Sequence, residues 1–505
     1  MSGHGVHRRI ARRCAVEASP APERPERPGR SGPPVPGRRA AGTAACPPPS
    51  AQAARSAQAG RSFPVLSAIE ERLDHSGARG LAHAVERAVR DGALAPGTRL
   101  PPIRRVAVEL ALSPTTVGAA WRLLAREGAI RTDGRRGTRI AEGGPPDPAR
   151  YRRALDRPAR PVLDLSGGVP DAALLPRLDR ALAGLTTAGT PATYLDEPVL
   201  PELAAVLRAD WPHPVEEVTV VDGAMDALDR VLETLVRHGD RVVVEHPCFP
   251  PLVDLLESRG AEVVPVPLDA EGPEPDALAA ALREPTAAVV LQPRAQNPTG
   301  ISITGPRADR LADLIAEAGT ILVEDDSAGA IAASPSRGPG RRIPDRTVHI
   351  RSFSKSHGPD LRMAAVGGPA EVMGEVLGRR RLGQGWSSRL LQRVLLSLLT
   401  DPASVAEVAA ARETYARRRA AVVGELAARG VATGGTDGVN LWTPVRDETA
   451  AVERLRHEGI GVAPGSPFLL LTDAPGGDHV RVTVGLVPER DAARVAAVLA
   501  GAARA

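Results

Sequence analysis

The sequence predicts a multidomain chain in which a small, mainly α unit with a β wing precedes a larger α/β unit that ends in a smaller α+β lobe. Three observations lead to this prediction. At 505 residues the chain exceeds what one hydrophobic core holds together. Positive charge is concentrated towards the amino terminus, and the rest of the chain is acidic. From residue 161 onward, short apolar runs alternate with helical stretches, a pattern typical of a mainly parallel sheet with helices on both faces.

The composition argues against a membrane, secreted or metal-knuckle protein. Hydrophobic residues make up 43% of the chain, and apolar runs such as that around Ala287 to Leu291 are far too short to cross a bilayer. The arginine-rich start is followed by prolines and not by an apolar segment, so no signal peptide is predicted. Cys14, Cys46 and Cys248 make neither a disulfide framework nor a paired metal site. We therefore expect a cytoplasmic protein without a metal.

Charge is distributed unevenly between the two ends of the chain. Residues 1–65 carry 11 Arg and 3 Glu, a net +8, and residues 81–141 carry 11 Arg and 5 acidic residues, a net +6. Because the whole chain has a net charge of +4, the remainder has −10. A polyanionic partner is therefore expected for the amino-terminal part only.

Four segments follow from these patterns. Residues 1–64 are rich in Pro, Arg, Ala and Gly without apolar periodicity, and we predict them to be disordered. They are either an arm that attracts nucleic acid or an upstream extension of the reading frame without a role, and we favour the second. Residues 65–142 form the small unit, residues 143–160, with the run Gly-Gly-Pro-Pro, form a linker, and residues 161–505 form the large unit.

The small unit shows three helical patterns and a strand pair. The first helix ends at Asp91-Gly92, and the third has Ser113 as its N-cap with Pro114 at the first helical position. A turn at Asp133-Gly134 separates two short strands. This is a winged helix-turn-helix in outline. The apolar faces of the three helices are Leu81, Val85 and Val89; Ile103, Val106, Ala107 and Leu110; and Val117, Ala120, Trp121 and Leu124.

The large unit contains apolar runs with the length of buried strands, separated by helical stretches. Its last ~100 residues are expected to form the smaller α+β lobe. The predicted strands are Val218 to Val221, Arg241 to Glu245, Ala287 to Gln292, Ile321 to Glu324, and Val348 to Ile350.

Lys355 is the only lysine among 64 basic Lys and Arg residues. Arginine keeps its proton at any workable pH, whereas a lysine amine can lose its proton and act as a nucleophile. Because biased codon usage has replaced lysine everywhere else, Lys355 is a candidate Schiff-base lysine. The alternative is a surface lysine that survived by chance.

The motif around Lys355 carries the strongest signal in the chain. Residues 352–358 read Ser-Phe-Ser-Lys-Ser-His-Gly, residues 323–326 read Val-Glu-Asp-Asp, and residues 297–300 read Asn-Pro-Thr-Gly. Residues 221–227, Val-Asp-Gly-Ala-Met-Asp-Ala, precede them. In this order, the motifs make residues 161–505 resemble the fold-type I aminotransferases, which use pyridoxal 5'-phosphate (PLP).

That resemblance implies a role for each motif. Lys355 would hold PLP as a Schiff base, Asp325 would keep its pyridine nitrogen protonated, and Asn297 would donate to its phenolate oxygen. Phe249 falls where the family stacks an aromatic ring on the cofactor, although a plain core phenylalanine is nearly as good an interpretation. The phosphate would be bound by a helix start, two hydroxyls and one guanidinium; these are Gly223, Ala224, Met225, Ser352, Ser354 and Arg362. For the two serines the alternative is ordinary strand-end polarity.

Two further residues are implied by the same resemblance. Tyr194 resembles the tyrosine that reaches the phosphate of the neighbouring subunit, so a homodimer is expected. Arg481 resembles the arginine that binds the α-carboxylate of an amino acid; the alternative is a surface strand charge. The chain departs from the family at Ser327, where a tyrosine is usual, and it lacks the usual glycine after Tyr194. Ser327 is too short to replace a tyrosine directly, so weakened catalysis is expected.

The small unit resembles the GntR winged helix, and residues from about 65 to 505 resemble the MocR subfamily, in which that domain is fused to an aminotransferase-like one. The resemblance places the helix that starts at Ser113 in the major groove of double-stranded DNA. Pro114 stands where many relatives have an arginine, so one base contact is expected to be missing. The candidate DNA-binding residues are Arg104, Ser113, Thr115, Thr116, Arg135, Arg136 and Gly137.

These observations predict a PLP-dependent, DNA-binding transcriptional regulator that senses PLP or a small amino compound. An active aminotransferase with an accessory amino-terminal domain is the main alternative, and a regulator that has lost its cofactor is a third. The identity of the effector, the operator, the direction of regulation and the occurrence of transamination stay open at this stage.

Overall fold

The computed structural model describes residues 64–73, 75, 77–126, 129–133, 137–140, 150–155, 161–185, 193, 196–471 and 478–505. The predictions for residues 1–63, Tyr194, Arg135 and Arg136 lie outside these residues. Most of the interval predicted as a linker also lies outside them.

The small unit contains four helices and a two-stranded antiparallel wing. Its elements are α1 (Pro64–Glu70), α2 (Ala78–Arg90), α3 (Ile103–Glu109), α4 (Pro114–Arg126), β1 (Ile130–Asp133) and β2 (Gly137–Ile140). The predicted winged helix-turn-helix is confirmed. Its apolar core includes Leu81, Val85, Val106, Trp121 and Leu124.

The sequence predicts that Ile103 lies on the buried face of its helix, and this prediction is wrong. Ile103 is 38% exposed, because it is the first residue of α3 and lies at the end of the helix, beyond the packed face. Val106 and Ala107, one turn later, are buried as predicted.

The rest of the described chain, which is the large unit and the segment just before it, contains the remaining elements. Its strands are β3 (Leu163–Asp164), β4 (Glu217–Val221), β5 (Arg241–His246), β6 (Glu262–Asp269), β7 (Gly272–Pro273), β8 (Ala288–Leu291), β9 (Ile321–Asp326), β10 (Thr347–Ser352), β11 (Ala364–Gly368), β12 (Leu441–Val445), β13 (Ile460–Gly461), β14 (Ala463–Pro464) and β15 (Asp478–Val482). Its helices are α5 (Arg150–Leu155), α6 (Leu178–Ala183), α7 (Pro201–Ala209), α8 (Ala224–Leu235), α9 (Pro250–Ser258), α10 (Pro275–Ala281), α11 (Gly305–Ala318), α12 (Ala370–Arg381), α13 (Arg389–Thr400), α14 (Pro402–Ala427), α15 (Glu448–His457) and α16 (Ala492–Ala503).

The main sheet has eight strands in the order β4-β11-β10-β9-β8-β5-β6-β7. The central strands β10, β9, β8, β5 and β6 are parallel, and β11 and β7 are antiparallel to their neighbours. All five predicted strands lie in this sheet. Their continuous apolar runs follow from burial on both faces, where clusters of Val, Leu and Ile pack against α8 and α9 on one side and α11 on the other.

The topology brings the functional motifs to one edge of the sheet. Asp325 lies at the end of β9, Gln292 directly follows β8, and Ser352 ends β10. Because β8, β9 and β10 are parallel, their carboxyl ends meet at the same edge. The loop that follows β10 carries Lys355 to this edge.

The smaller lobe contains a three-stranded sheet of β12, β15 and β14 packed against α14, α15 and α16. The predicted α+β lobe is thus confirmed. The start of the large unit also contributes to the lobe, because β3 pairs in parallel with β13. Leu165, which follows β3, is fully buried in the core of the lobe.

Among the described residues, no helix taken singly has the length and apolarity needed to cross a membrane. Only α13 and α14 taken together meet those criteria, and they are bent by 75° relative to each other.

Candidate functional site

Lys355 lies at the carboxyl edge of the main sheet, half-buried beside polar side chains. Its Nζ atom donates a hydrogen bond of 3.4 Å to Ser327 Oγ. Burial lowers the pKa of Lys355, and the nearby carboxylate of Asp325 opposes this effect. The amine is therefore easier to deprotonate than an exposed lysine, which favours nucleophilic chemistry.

Asp325 is 3% exposed and its two carboxylate oxygens differ in their contacts. Oδ2 accepts a hydrogen bond of 2.7 Å from Gln292 Nε2, whereas buried Oδ1 has no hydrogen-bond partner among the described residues. Burial raises the pKa of Asp325. A buried carboxylate oxygen without a partner costs folding free energy. This atom is therefore placed to accept a hydrogen bond from a ligand.

The next residue of the strand, Asp326, differs from Asp325 because it has a charged partner. It forms two hydrogen bonds with Arg294, at 2.9 and 2.7 Å, in a buried ion pair. Burial disfavours the ionised form of Asp326, but the positive charge and hydrogen bonds of Arg294 outweigh burial and lower its pKa. Asp326 is therefore satisfied within the fold, and Asp325 is not.

Gln292 organises this edge and was missed by sequence reasoning. Its Nε2 atom donates to Asp325 and, at 3.3 Å, to Ser327 Oγ. Its Oε1 atom accepts a hydrogen bond of 2.7 Å from the backbone of Asn297. One amide thus links the motifs of Asn297 and Asp325, and its position at the end of a buried strand was an available signal.

Arg481 and Asn297 form a buried pair across the two parts of the large unit. Arg481 is 1% exposed, so the alternative of a surface strand charge is wrong. Its guanidinium donates to Asn297 Oδ1 at 3.2 Å and to the Ser166 carbonyl. Asn440, the other asparagine of the chain, also donates to Asn297 Oδ1, at 3.4 Å. Both bonds use the Asn297 side-chain oxygen and do not involve its amide nitrogen.

The predicted phosphate site is built around the start of α8. Gly223 precedes the helix with a φ of +106°, and a Cβ there would lie 2.8 Å from an Arg362 guanidinium nitrogen. Arg362 itself has a left-handed φ of +48° and donates to the Asp222 carbonyl at 3.1 Å. Ala224 and Met225 open α8, at the end of the helix where backbone N–H groups lack intrahelical partners and favour an anion.

Of the two predicted serines, Ser352 ends β10 and Ser354 lies on the loop that follows. Ser352 is buried, and its Oγ atom accepts a hydrogen bond of 3.3 Å from the Ser354 backbone. Phe249 precedes α9 and is partly buried against the main core. The ring of Phe249 lies edge-on to Tyr151, with centroids 6.4 Å apart.

Tyr151 belongs to α5, a helix within residues 143–160, which the sequence predicts to be a linker. The helix packs against α9, β14 and the turn at Ser466–Phe468. The Tyr151 ring therefore enters the site between Phe249 and Arg481. Sequence reasoning missed it, although Tyr151 is one of only three tyrosines in the chain.

A separate buried group lies behind the sheet edge. His213, Glu324 and His349 bring possible metal-ligand atoms within 4.8 Å of one another. His349 Nδ1 lies 2.9 Å from Glu324 Oε2, and Glu324 Oε1 accepts the Gly340 N–H at 2.8 Å. The carboxylate is thus occupied by internal hydrogen bonds.

The small unit presents hydroxyl groups at the start of α4. Ser113 caps the helix by accepting the Thr116 N–H at 3.0 Å. Its Oγ atom lies 2.7 Å from Thr115 Oγ1 and 2.8 Å from Thr116 Oγ1. Ser113, Thr115 and Arg104 are exposed, and Gly137 opens the second wing strand with a φ of +85°.

Two protein families match parts of this chain. Residues 160–499 match the family described as Aminotransferase class I and II, and residues 78–140 match Bacterial regulatory proteins, gntR family.

Several relatives match over most of their length. The chain is 34% identical over 432 residues to the vitamin B6 salvage pathway transcriptional repressor PtsJ of Salmonella typhimurium, covering 84% of this chain and 98% of PtsJ. It is 29% identical to the pyridoxine biosynthesis transcriptional regulator PdxR of Corynebacterium glutamicum, covering 68% of this chain and 77% of PdxR.

The large unit also resembles a solved aminotransferase. The structure of LysN, an α-aminoadipate aminotransferase of Thermus thermophilus complexed with N-(5'-phosphopyridoxyl)-L-leucine, matches with a TM-score of 0.61 and 23% identity. The match covers 70% of this chain and 92% of LysN. This likeness shows the fold of the large unit.

Proposed function

The chain belongs to the MocR subfamily of GntR-type transcriptional regulators, and from this premise we propose that PLP binds its large unit and changes its affinity for DNA. The observation that carries the proposal is the unpartnered Oδ1 atom of buried Asp325, on the same sheet edge as the only lysine of the chain. A carboxylate in this state matches the protonated pyridine nitrogen of PLP.

The residues of the site fit this cofactor. Lys355 would hold PLP through its ε-amine, and Asp325 would pair with the ring nitrogen. When bound, PLP supplies an electrophilic aldehyde and an electron-withdrawing ring. Asn297 would donate its free amide N–H to the ring oxygen, and Phe249 would cover one face of the ring. Gln292 orients Asp325 and holds the backbone of Asn297, so it is a positioning residue.

The phosphate group would be bound at the start of α8. A Cβ at Gly223 would fill space beside the Arg362 guanidinium, so glycine keeps this space open for an anion. Ala224 and Met225 would donate backbone N–H groups, Ser352 and Ser354 hydroxyls, and Arg362 a charged fork. Tyr194 of a partner subunit would complete this site in a homodimer.

Arg481 would bind the carboxylate of an amino compound. It is buried without an ion-pair partner among the described residues, and a carboxylate would supply the missing charge. The effector of this regulator would therefore be PLP alone or PLP together with an amino acid.

The small unit would bind double-stranded DNA in the cytoplasm. α4 would enter the major groove with Thr115 and Thr116 at base edges or phosphates, while Arg104, Arg135, Arg136 and Gly137 would contact the backbone or minor groove. Ser113 would hold the start of α4 in place through its cap.

A mobility-shift titration of its own promoter region with the full-length chain tests the proposal. We expect binding at low salt and at least a fivefold change in affinity when PLP is added, the lower end of typical allosteric coupling. No DNA binding at low salt contradicts the DNA-binding half of the proposal. DNA binding that PLP leaves unchanged contradicts the sensing half.

An active aminotransferase is a second candidate, favoured by the buried Arg481 and by the amine of Lys355. Ser327 argues against it, because the serine hydroxyl contacts Lys355 and Gln292 where the family usually places a longer phenol. Turnover of amino donors with a 2-oxo acid at ordinary enzyme rates, roughly 1 to 1000 per second, would establish an enzyme.

A further inference from the structure

Helix α5 inserts an aromatic side chain into the candidate effector site. The Tyr151 ring packs edge-on against Phe249, at 6.4 Å between centroids, and against Phe468, at 5.5 Å. Leu155, one turn later on the same helix, packs into the same apolar cluster around Trp442. The helix is thus anchored to the large unit at the place where an amino compound would bind.

Arg481 lies directly against this ring. The guanidinium carbon is 5.4 Å from the Tyr151 ring centroid and 5.2 Å from that of Phe468. Its Nε atom is buried without a hydrogen-bond partner among the described residues. The buried cation is therefore held by two aromatic faces and two neutral oxygens.

The Tyr151 hydroxyl is also unsatisfied. Its oxygen is buried and forms no hydrogen bond of normal geometry among the described residues. Burial raises the pKa of Tyr151, and the positive charge of Arg481 opposes the rise. The phenol thus lies close enough to the guanidinium to interact with it, but as a neutral group it does not supply the negative charge that this buried cation lacks.

Resting on the proposed function, we infer that Tyr151 occupies the carboxylate position of the effector site. The effector is an amino compound with a carboxylate group, and that carboxylate displaces the phenol ring from Arg481. A carboxylate forms two charge-assisted hydrogen bonds with a guanidinium in a dry site, which a phenol ring does not match. An amine without a carboxylate leaves Tyr151 in place.

The displaced side chain belongs to the segment between the two units. Only residues 141–149 separate β2 of the DNA-binding unit from α5. Moving Tyr151 out of the site therefore releases α5 at a point close in sequence to the DNA-binding unit. The effector has different contacts in the two states of this helix, as a ligand-driven change requires.

The first test uses full-length PLP-loaded protein with two probes, L-alanine and methylamine, followed by the visible absorbance of the cofactor. In Tyr151→Ala we expect the apparent affinity for L-alanine to rise about tenfold relative to wild type, the factor expected for one desolvated cation–π contact. The affinity for methylamine should stay unchanged. An unchanged or lowered affinity for L-alanine in Tyr151→Ala overturns the inference.

Leu155→Ala is the matched control, because it loosens the same helix without touching Arg481. We expect it to leave the L-alanine to methylamine ratio at the wild-type value. If Leu155→Ala raises the ratio as much as Tyr151→Ala does, the effect comes from general loosening of α5 and the inference is wrong.

A second measurement does not depend on the cofactor. Cofactor-free wild type, Tyr151→Ala and Leu155→Ala are treated with phenylglyoxal, which modifies accessible arginines, and labelling of Arg481 is followed by peptide mass mapping. We expect Arg481 to react at least tenfold faster in Tyr151→Ala only. Equal rates in the three proteins overturn the inference. Absence of a cofactor band in every protein contradicts the proposed function instead, and this labelling result still decides the role of Tyr151.

Discussion

The winged helix-turn-helix unit and the proposed PLP site display their candidate groups in opposite ways. Ser113, Thr115 and Arg104 are exposed to water, whereas Asp325 and Arg481 are almost fully buried. An exposed polar group is solvated with or without its ligand. A buried group with unmatched atoms costs folding free energy until the ligand supplies the partner.

This difference predicts which ligands affect the stability of the protein. Filling the large site satisfies buried atoms of Asp325 and Arg481, so PLP and an effector should stabilise the large unit markedly. At a ligand concentration 100 times the Kd, linkage adds about 2.7 kcal/mol to the free energy of unfolding. DNA would contact surfaces that water already solvates, so its effect on the free energy of unfolding should depend mainly on the salt concentration.

The largest expected effect is at Lys355. Replacing it in Lys355→Ala should abolish covalent attachment of PLP, because no other lysine exists in the chain. Borohydride reduction followed by peptide mass mapping measures the adduct. Lys355→Arg is the matched control, since it keeps the charge without a nucleophilic amine, and it should also give no adduct. An adduct elsewhere in either variant would contradict the assignment.

Asp325 and Asp326 are neighbours on β9, and substituting each in turn tests whether an unpartnered carboxylate and a paired one have different roles. Asp325→Asn should weaken PLP binding by about 1.5 to 3 kcal/mol, the value of a hydrogen bond to a charged group. It should not destabilise the cofactor-free protein, because burial already raises the pKa of this carboxyl. Absorbance titration and chemical denaturation measure the two quantities.

Asp326→Asn should do the reverse. It breaks a buried ion pair with Arg294 and should lower the free energy of unfolding by about 3 to 5 kcal/mol. Equal destabilisation by the two substitutions would show that Asp325 is a structural residue.

The pH dependence of stability tests a third buried carboxyl group, that of Glu245. Burial raises the pKa of Glu245, on β5, to about 8. The folded state then holds a proton that the unfolded state releases above its ordinary pKa, so stability falls as pH rises from about 4.5 to 8. Glu245→Gln removes this fall and should be more stable than wild type at pH 8, by up to about 4 kcal/mol. Denaturant titrations of cofactor-free protein at pH 5 and pH 8 test it; an equal difference at both pH values would be contrary to this account.

The smallest effects are expected in the DNA-binding unit. Ser113→Ala removes the cap of α4 and should cost about 1 kcal/mol of stability.

Arg104→Ala should leave stability unchanged and reduce the slope of DNA affinity against salt by about 1. Mobility shifts at several salt concentrations measure the slope. A variant slope equal to that of wild type would place Arg104 outside the DNA contact.

Local patterns were sufficient for the helices of the small unit. Leu81, Val85 and Val89 recur with the period of a helix, and Ser113-Pro114 is a local start signal, so α2 and α4 lie where predicted. Ile103 shows the limit, because a side chain at the end of a helix is buried only if a neighbouring element covers it.

The fold class and Lys355 could be predicted from the residues alone, because apolar patterning is a local property and because codon bias had removed every other lysine. The polar atoms left without partners among the described residues could be identified only in the folded chain. The bridging role of Gln292, the unpaired Oδ1 of Asp325 and the ring of Tyr151 on Arg481 depend on elements far apart in sequence. Such contacts arise when strand ends and a linker helix meet in space, and no local spacing specifies them.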